Sequence, residues 1–190
     1  MTSIALDLQR ASQAADAEKK NELLGRASHG ADRLLERIHE IAARVRPPIL
    51  DDLGLKDAVQ SLLSEYEQRT GIVPNLDLRC EPDAVSPAVS ANVYRILQEA
   101  LTNVSRHAQA SEVFVDLHAA SGQVALTVRD TGVGFDPATV DGKRLGILGM
   151  RERAELLGGT FSLSAEMGRG TEIQVVIPTG NRAEGFATNL

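Results

Sequence analysis

The strongest constraint on the fold is a pair of apolar/polar alternations broken by one glycine. Val113, Val115 and Leu117 recur at every second position, Gly122 follows, and Val124, Leu126 and Val128 resume the same period. Side chains two apart share one face of a strand, so each run has one face to bury, and Gly122 stands where a hairpin must reverse. The spacing predicts two antiparallel strands over 112–119 and 123–129. Further strands are expected over 72–80, 160–166 and 171–177, with helices over 55–69, 87–108 and 150–157 between them.

Upstream the period changes. Ile4, Leu8, Ala11 and Ala15 have helical spacing, residues 16–20 are charged and suit a turn, and Leu24, Ala27, Ala31, Leu34, Ile38, Ile41 and Val45 form a narrow seam. A two-helix hairpin with such a seam leaves apolar surface uncovered, and two copies can bury it as a four-helix bundle, so a homodimer is expected. Pro47 and Pro48 end the second helix, residues 49–54 read as a connector, and Gly71 stops the helix before the first strand. The expected division is a hairpin at 1–48, a connector and helix at 49–71, a sheet domain at 72–178 and a flexible tail at 179–190.

Composition narrows the partners. The formal charge of −6 and the 3% aromatic content disfavour phosphate-backbone attraction and base-stacking platforms, so nucleic acid is not an expected partner. Cys80 is alone, which excludes an intramolecular disulfide and fits a reducing cytoplasm. No apolar run reaches the roughly 18 residues of a membrane-spanning helix.

On the helix before Ala108, Glu99, Asn103 and His107 recur every four residues with Arg106 beside them, opposite Val93, Ile96, Leu97, Ala100 and Val104. Alone, such a stripe is more often a solvated face, but an Asn carbonyl also suits Mg²⁺, and a carboxylate can orient a phosphoryl acceptor. Downstream, a strand ends in Asp130, followed by Gly132 and Gly134. A carboxylate there can accept from an adenine amino group, and glycines let a ligand approach the backbone, although a lone motif of this kind can be only a turn. Gly146 and Gly149 then stand in a loop expected just before a helix, where free amides can face phosphate oxygens. Gly168 to Thr171 open the last strand.

In this order, Arg-Ile-Leu-Gln-Glu-Ala-Leu-Thr-Asn-Val-Ser-Arg-His-Ala (95–108), Asp-Thr-Gly-Val-Gly-Phe (130–135), Leu-Gly-Ile-Leu-Gly-Met-Arg-Glu-Arg-Ala-Glu-Leu-Leu-Gly-Gly (145–159) and Gly-Arg-Gly-Thr (168–171) resemble the asparagine and glycine boxes of two-component sensor histidine kinases. Arg-Pro-Pro-Ile-Leu-Asp-Asp-Leu-Gly-Leu (46–55) is similar to the connector of the subfamily paired with helix-turn-helix response regulators. The resemblance covers nearly 2–178. It implies an α+β fold of the GHKL (Bergerat) type, a two-layer sandwich with a mixed sheet, preceded by an antiparallel hairpin that dimerises into a four-helix bundle. It also implies ATP and Mg²⁺ as cofactors, a response-regulator receiver domain as partner, and a cytoplasmic location with a parent that can be anchored upstream. Asn103 would hold Mg²⁺, Asp130 would read adenine, and Glu99 would assist transfer. Gly132, Gly134, Gly146, Gly149 and Thr171 would frame the nucleotide, with Arg106 and His107 near the phosphates.

Two departures stand out. The subfamily's acceptor histidine precedes a segment resembling Thr-Ser-Ile-Ala-Leu-Asp-Leu (2–8), so the acceptor is expected upstream of this chain, and neither His29 nor His39 has its context. Arg144 stands where the family often has a glycine, which implies a lid that is stiffer or carries its own phosphate contact. An anti-sigma-factor-type serine kinase shares the nucleotide boxes but has no hairpin. A non-catalytic, ATP-responsive dimeric scaffold is the alternative from another class.

Overall fold

A computed structural model describes residues 3–14, 16, 18–28, 30, 47–81, 85–120, 122–136 and 145–179. The chain divides into two compact units, Met1–Arg46 and Pro47–Leu190.

In the first unit, helix α1 spans Ser3–Gln13, and residues 18–28 are helical. The Asp16 carboxylate accepts from the Glu18 N–H at 3.2 Å and so helps to start the second stretch. Ala11, Leu23 and Ala27 are buried, whereas Leu6, Leu8 and Leu24 are exposed. The expected stripe is therefore displaced by one residue at its start, with Leu23 inward in place of Leu24, because a four-residue step to Ala27 aligns better with the buried face than a three-residue step. Ala15, His29, Ala31, Leu34, Ile38, His39, Ile41 and Val45 lie outside the described residues, as do the side chain of Ile4 and the tail from 180.

The second unit opens with helix α2, Pro48–Thr70. Its first residues correct the connector reading: Pro48 sits at the start of the helix, where its missing N–H has no partner to lose, and the helical path is broken once, at Gly54 (φ 73°, ψ 177°). Leu55, Ala58, Val59, Leu62, Leu63 and Tyr66 face inward. Gly71 ends the helix in the left-handed region (φ 74°), donating to the Glu67 carbonyl at 2.7 Å. Strand β1 (Asn75–Cys80) follows, then helix α3 (Pro87–Asn103), whose Ser86 hydroxyl accepts from the Val89 N–H at 3.4 Å. Val73, an expected strand residue, precedes β1 and is exposed.

Strands β2 (Val113–Ala120) and β3 (Gln123–Asp130) form the expected hairpin about Gly122 (φ 81°). Helix α4 spans Leu145–Leu156, followed by β4 (Thr160–Glu166) and β5 (Gly170–Pro178). The sheet order is β1-β2-β3-β5-β4, with β1 parallel to β2 and the other neighbours antiparallel. Val113, Val115, Leu117, Val124, Leu126, Val128, Ile173, Val175 and Ile177 are all buried on one face, where α2, α3 and α4 supply the second layer. Each such aliphatic side chain contributes about 1.5–3 kcal/mol on burial. The opposite face is polar, and its Phe114 ring is covered by the Arg129 guanidinium, 4.3 Å from the ring centroid.

Candidate nucleotide site

Register brings the chemical residues to one end of the sheet. Asn75 opens β1 beside Phe114, Val113 opens β2 opposite Asp130, and Glu166 closes β4 opposite Gly170 at the start of β5. Asp130 points to the helical layer, because it continues the inward series Val124, Leu126, Val128. It is 4% exposed. One carboxylate oxygen accepts from the Gly132 N–H at 2.8 Å, and the Thr171 amide and hydroxyl also donate to the group. Burial pushes its pKa above the usual carboxylate value, while the Gly132 and Thr171 donors pull the other way.

The glycines around Asp130 are fixed by close backbone packing. A Cβ on Gly132 would lie 2.2 Å from the Ala108 carbonyl oxygen, and one on Gly134 (φ 59°) would lie 2.0 Å from that of Glu166. The Val133 N–H donates to Ala108 and the Gly168 N–H to Val133, each at 2.7 Å, tying the loop to the end of α3 and to the β4–β5 turn. Gly170 was not singled out by sequence as a site residue, yet a Cβ there would meet the Asp130 carbonyl oxygen at 2.0 Å. Its signal was present in the Gly-x-Gly pair before Thr171.

The helix bearing Glu99 and Asn103 departs from its expected course. It is α-helical only to Asn103, and Val104–Ala108 form a π-helical turn. The wider turn interrupts the four-residue spacing after Asn103; Glu99 and Asn103 are half-buried, and Arg106 and His107 are exposed. Val93, Ile96, Leu97, Ala100 and Val104 are buried as expected.

Gly146 and Gly149 are not in a loop. Helix α4 begins at Leu145, five residues before the expected start at Met150, so both glycines lie in its first turns. Packing of the neighbouring apolar side chains, with Met150 fully buried and Ile147 against the core, outweighs a glycine cost of about 1 kcal/mol each. Gly149 has open space where a Cβ would stand, whereas a Cβ on Gly146 would lie 2.3 Å from Oε1 of Glu99. Arg153, farther along α4, is half-buried; burial, then Arg95, lowers its pKa, while Glu99 and Glu152 act oppositely. Since the atom opposing Gly146 ends a flexible side chain, Gly146→Ala is expected to leave the unfolding free energy unchanged or raise it by up to about 1 kcal/mol, as for Gly to Ala within a helix. Urea unfolding of the two proteins measures this; a loss above about 1 kcal/mol would show that Glu99 has nowhere else to go.

Asp130, Gly132, Gly134 and Thr171 thus gather at one end of the sheet, their loop is tied through Val133 to Ala108 beyond the helix that carries Glu99 and Asn103, Gly146 faces Glu99, and Arg106 and His107 are exposed. A buried carboxylate with convergent backbone donors makes this end of the mixed sheet the candidate ligand site. Residues 88–181 match the family described as histidine kinase-, DNA gyrase B-, and HSP90-like ATPase.

Within that family the chain belongs with the catalytic domains of two-component sensor histidine kinases. It is 35% identical over 150 residues to the oxygen sensor histidine kinase NreB of Staphylococcus carnosus, covering 77% of this chain and 42% of that protein. Over 150 residues it is also 35% identical to the sensor histidine kinase LiaS of Bacillus subtilis, covering 79% of this chain and 41% of the relative. The chain therefore spans about two fifths of these relatives. The fold is shared with Acinetobacter baumannii histidine kinase AdeS at a TM-score of 0.61 and 19% identity, over 95% of this chain and 96% of that one.

Proposed function

We propose that this chain is the ATP-binding catalytic part of a sensor histidine kinase, which passes the γ-phosphoryl group of ATP to a histidine imidazole for relay to a response-regulator aspartate. The observation that supports it most is Asp130, buried yet held by the Gly132 and Thr171 donors, in a loop tied through Val133 to Ala108 beyond the helix that carries Asn103. Its free acceptor capacity suits the adenine amino group.

Gly132 and Gly134 hold the loop against its neighbours, so the base can meet backbone without a side chain between them. Asn103 offers a neutral oxygen toward Mg²⁺. Such a cation takes most of its ligands from water and phosphate, so one protein oxygen can suffice. When bound, Mg²⁺ supplies neutralisation of phosphate charge. Gly146 and Gly149, at the start of α4, frame the phosphates, Arg106 and His107 lie at their exposed side, and Glu99 orients the acceptor. Phosphoryl transfer asks for alignment and charge stabilisation more than covalent chemistry, and this set supplies both.

The first unit is read as the dimerisation hairpin, in which exposed Leu6, Leu8 and Leu24 meet a second copy. The connector and sheet domain, 49–71 and 72–178, carry the nucleotide. No helix among the described residues is long and apolar enough to cross a membrane. ATP as phosphoryl donor places the reaction in the cytoplasm.

The test is transfer from labelled ATP to a sensor-kinase chain bearing an acceptor histidine. The expected product is acid-labile phosphate, and Asn103→Ala is expected to lower the rate about 100-fold, the scale of losing one positioned polar group. Acid-stable phosphoserine as the sole product would overturn the histidine assignment.

A further inference from the structure

Arg153 stands where a cation is disfavoured. It is half-buried, it makes no hydrogen bond or ion pair among the described residues, and burial and the like charge of Arg95 both act against its guanidinium. A charge carries a cost in such a place, and side chains that break a local rule in this way gather at functional sites. Two carboxylates oppose the cost, those of Glu99 and Glu152. Glu152 is exposed and adjacent in the chain, whereas Glu99 is half-buried and acts on Arg153 from another helix.

The packing of the two helices sets the arrangement. Helix α4 packs against α3, and Gly146 in its first turn lies against Oε1 of Glu99. Arg153 follows Gly146 by about two turns on the same side of α4. Arg151 turns to the other side, where its guanidinium lies 5.0 Å from the centroid of the Phe161 ring. On α3, Arg95 precedes Glu99 by one turn and Asn103 follows it by one turn. The order along the interface is therefore Asn103, then Glu99 beside Gly146, then Arg95 and Arg153.

This order gives the two sides of Glu99 opposite characters. On the side of Asn103 and the start of α4, the nucleotide phosphates would confront the carboxylate with like charge. On the other side stands Arg153, whose guanidinium is committed to no other partner. Attraction from behind offsets repulsion from in front, and in a half-buried place it is screened less than at the surface.

Resting on the catalytic reading given above, we propose that Arg153 is a positioning residue for phosphoryl transfer: it backs the Glu99 carboxylate with positive charge from the side away from Asn103, so that Glu99 keeps its place against the phosphates while it orients the acceptor imidazole. Arg153 itself touches neither nucleotide nor acceptor. Because the charge is unfavourable for the fold, its removal should cost the reaction and not the stability.

The experiment is transfer from labelled ATP to a sensor-kinase chain bearing an acceptor histidine, with melting of each protein. The full chain is compared with Arg153→Met, Arg153→Lys, Glu99→Gln and the double variant Arg153→Met/Glu99→Gln. Methionine keeps the apolar stem and removes the charge. Arg153→Met is expected to lower the rate at saturating ATP about tenfold, the scale of losing a partner that orients a ligating side chain. The ATP concentration at half-maximal rate should not change, and the variant should melt no lower than the wild type. Arg153→Lys should keep most of the rate, since charge and not one particular hydrogen bond is at work. In the Glu99→Gln background, Arg153→Met should cost nothing further. An unchanged rate in Arg153→Met, equal losses with lysine and methionine, independent losses in the double variant, or a rate that falls together with the melting temperature would overturn the assignment and leave the nucleotide site standing. A folded wild-type chain that transferred no phosphate would overturn it together with the proposed function.

Discussion

Asp130→Asn is expected to weaken ATP binding by about 30- to 150-fold, from loss of a charge-assisted hydrogen bond worth about 2–3 kcal/mol. The same substitution should alter the pH dependence of stability in a definite direction. Burial raises the Asp130 pKa in the folded chain above its unfolded value of about 3.9, so the folded protein holds this proton more tightly. Its stabilising contribution is complete below the unfolded pKa and is lost as pH rises through the folded pKa. The wild type should therefore lose stability relative to Asp130→Asn across that window and run parallel to it above. ATP affinity should rise over the same window, because the ionised carboxylate is the form that accepts from the base. Unfolding curves and titrations at several pH values measure both, and a stability difference independent of pH would contradict the buried-carboxylate account.

The largest loss of stability is expected from Gly134→Ala. Its added methyl would enter a space where the Glu166 carbonyl oxygen stands 2.0 Å away, on a backbone with φ of 59°. Overpacking costs about 1–3 kcal/mol and the left-handed conformation about 1–2 kcal/mol, giving about 2–5 kcal/mol in all. At about 2–4 °C per kcal/mol for a chain of this size, melting should fall by about 10 °C, and ATP binding should disappear with the loop. Gly71→Ala supplies the control. Gly71 has nearly the same backbone angle, φ 74°, but nothing within 4 Å of its would-be Cβ, so only the conformational cost of about 1–2 kcal/mol applies. Equal losses in the two variants would show that packing against Glu166 does not constrain the loop.

The sheet was legible wherever one face is buried and the other is wet. Val113 to Leu117 and Val124 to Val128 carry that contrast in their spelling, and Gly122 marks the reversal between them. Asp130 was legible as a candidate because it ends a strand and is followed by Gly132 and Gly134. The start of α4 was not, since Gly146 and Gly149 have weak helical preference by themselves, and burial of Met150, which is a tertiary effect, decides the outcome. The π-turn after Asn103 was likewise hidden: Val104 to Ala108 spell an ordinary continuation of the helix, and the Ala108 carbonyl at its end is tied to the distant Val133 N–H, a tertiary contact.

The most direct test of the central claim is calorimetric titration of the wild-type chain with ATP in the presence and absence of Mg²⁺. The account predicts one nucleotide per chain, bound more tightly with Mg²⁺ than without it. A folded protein that gives no binding heat under either condition, and whose melting temperature does not respond to ATP, would contradict it.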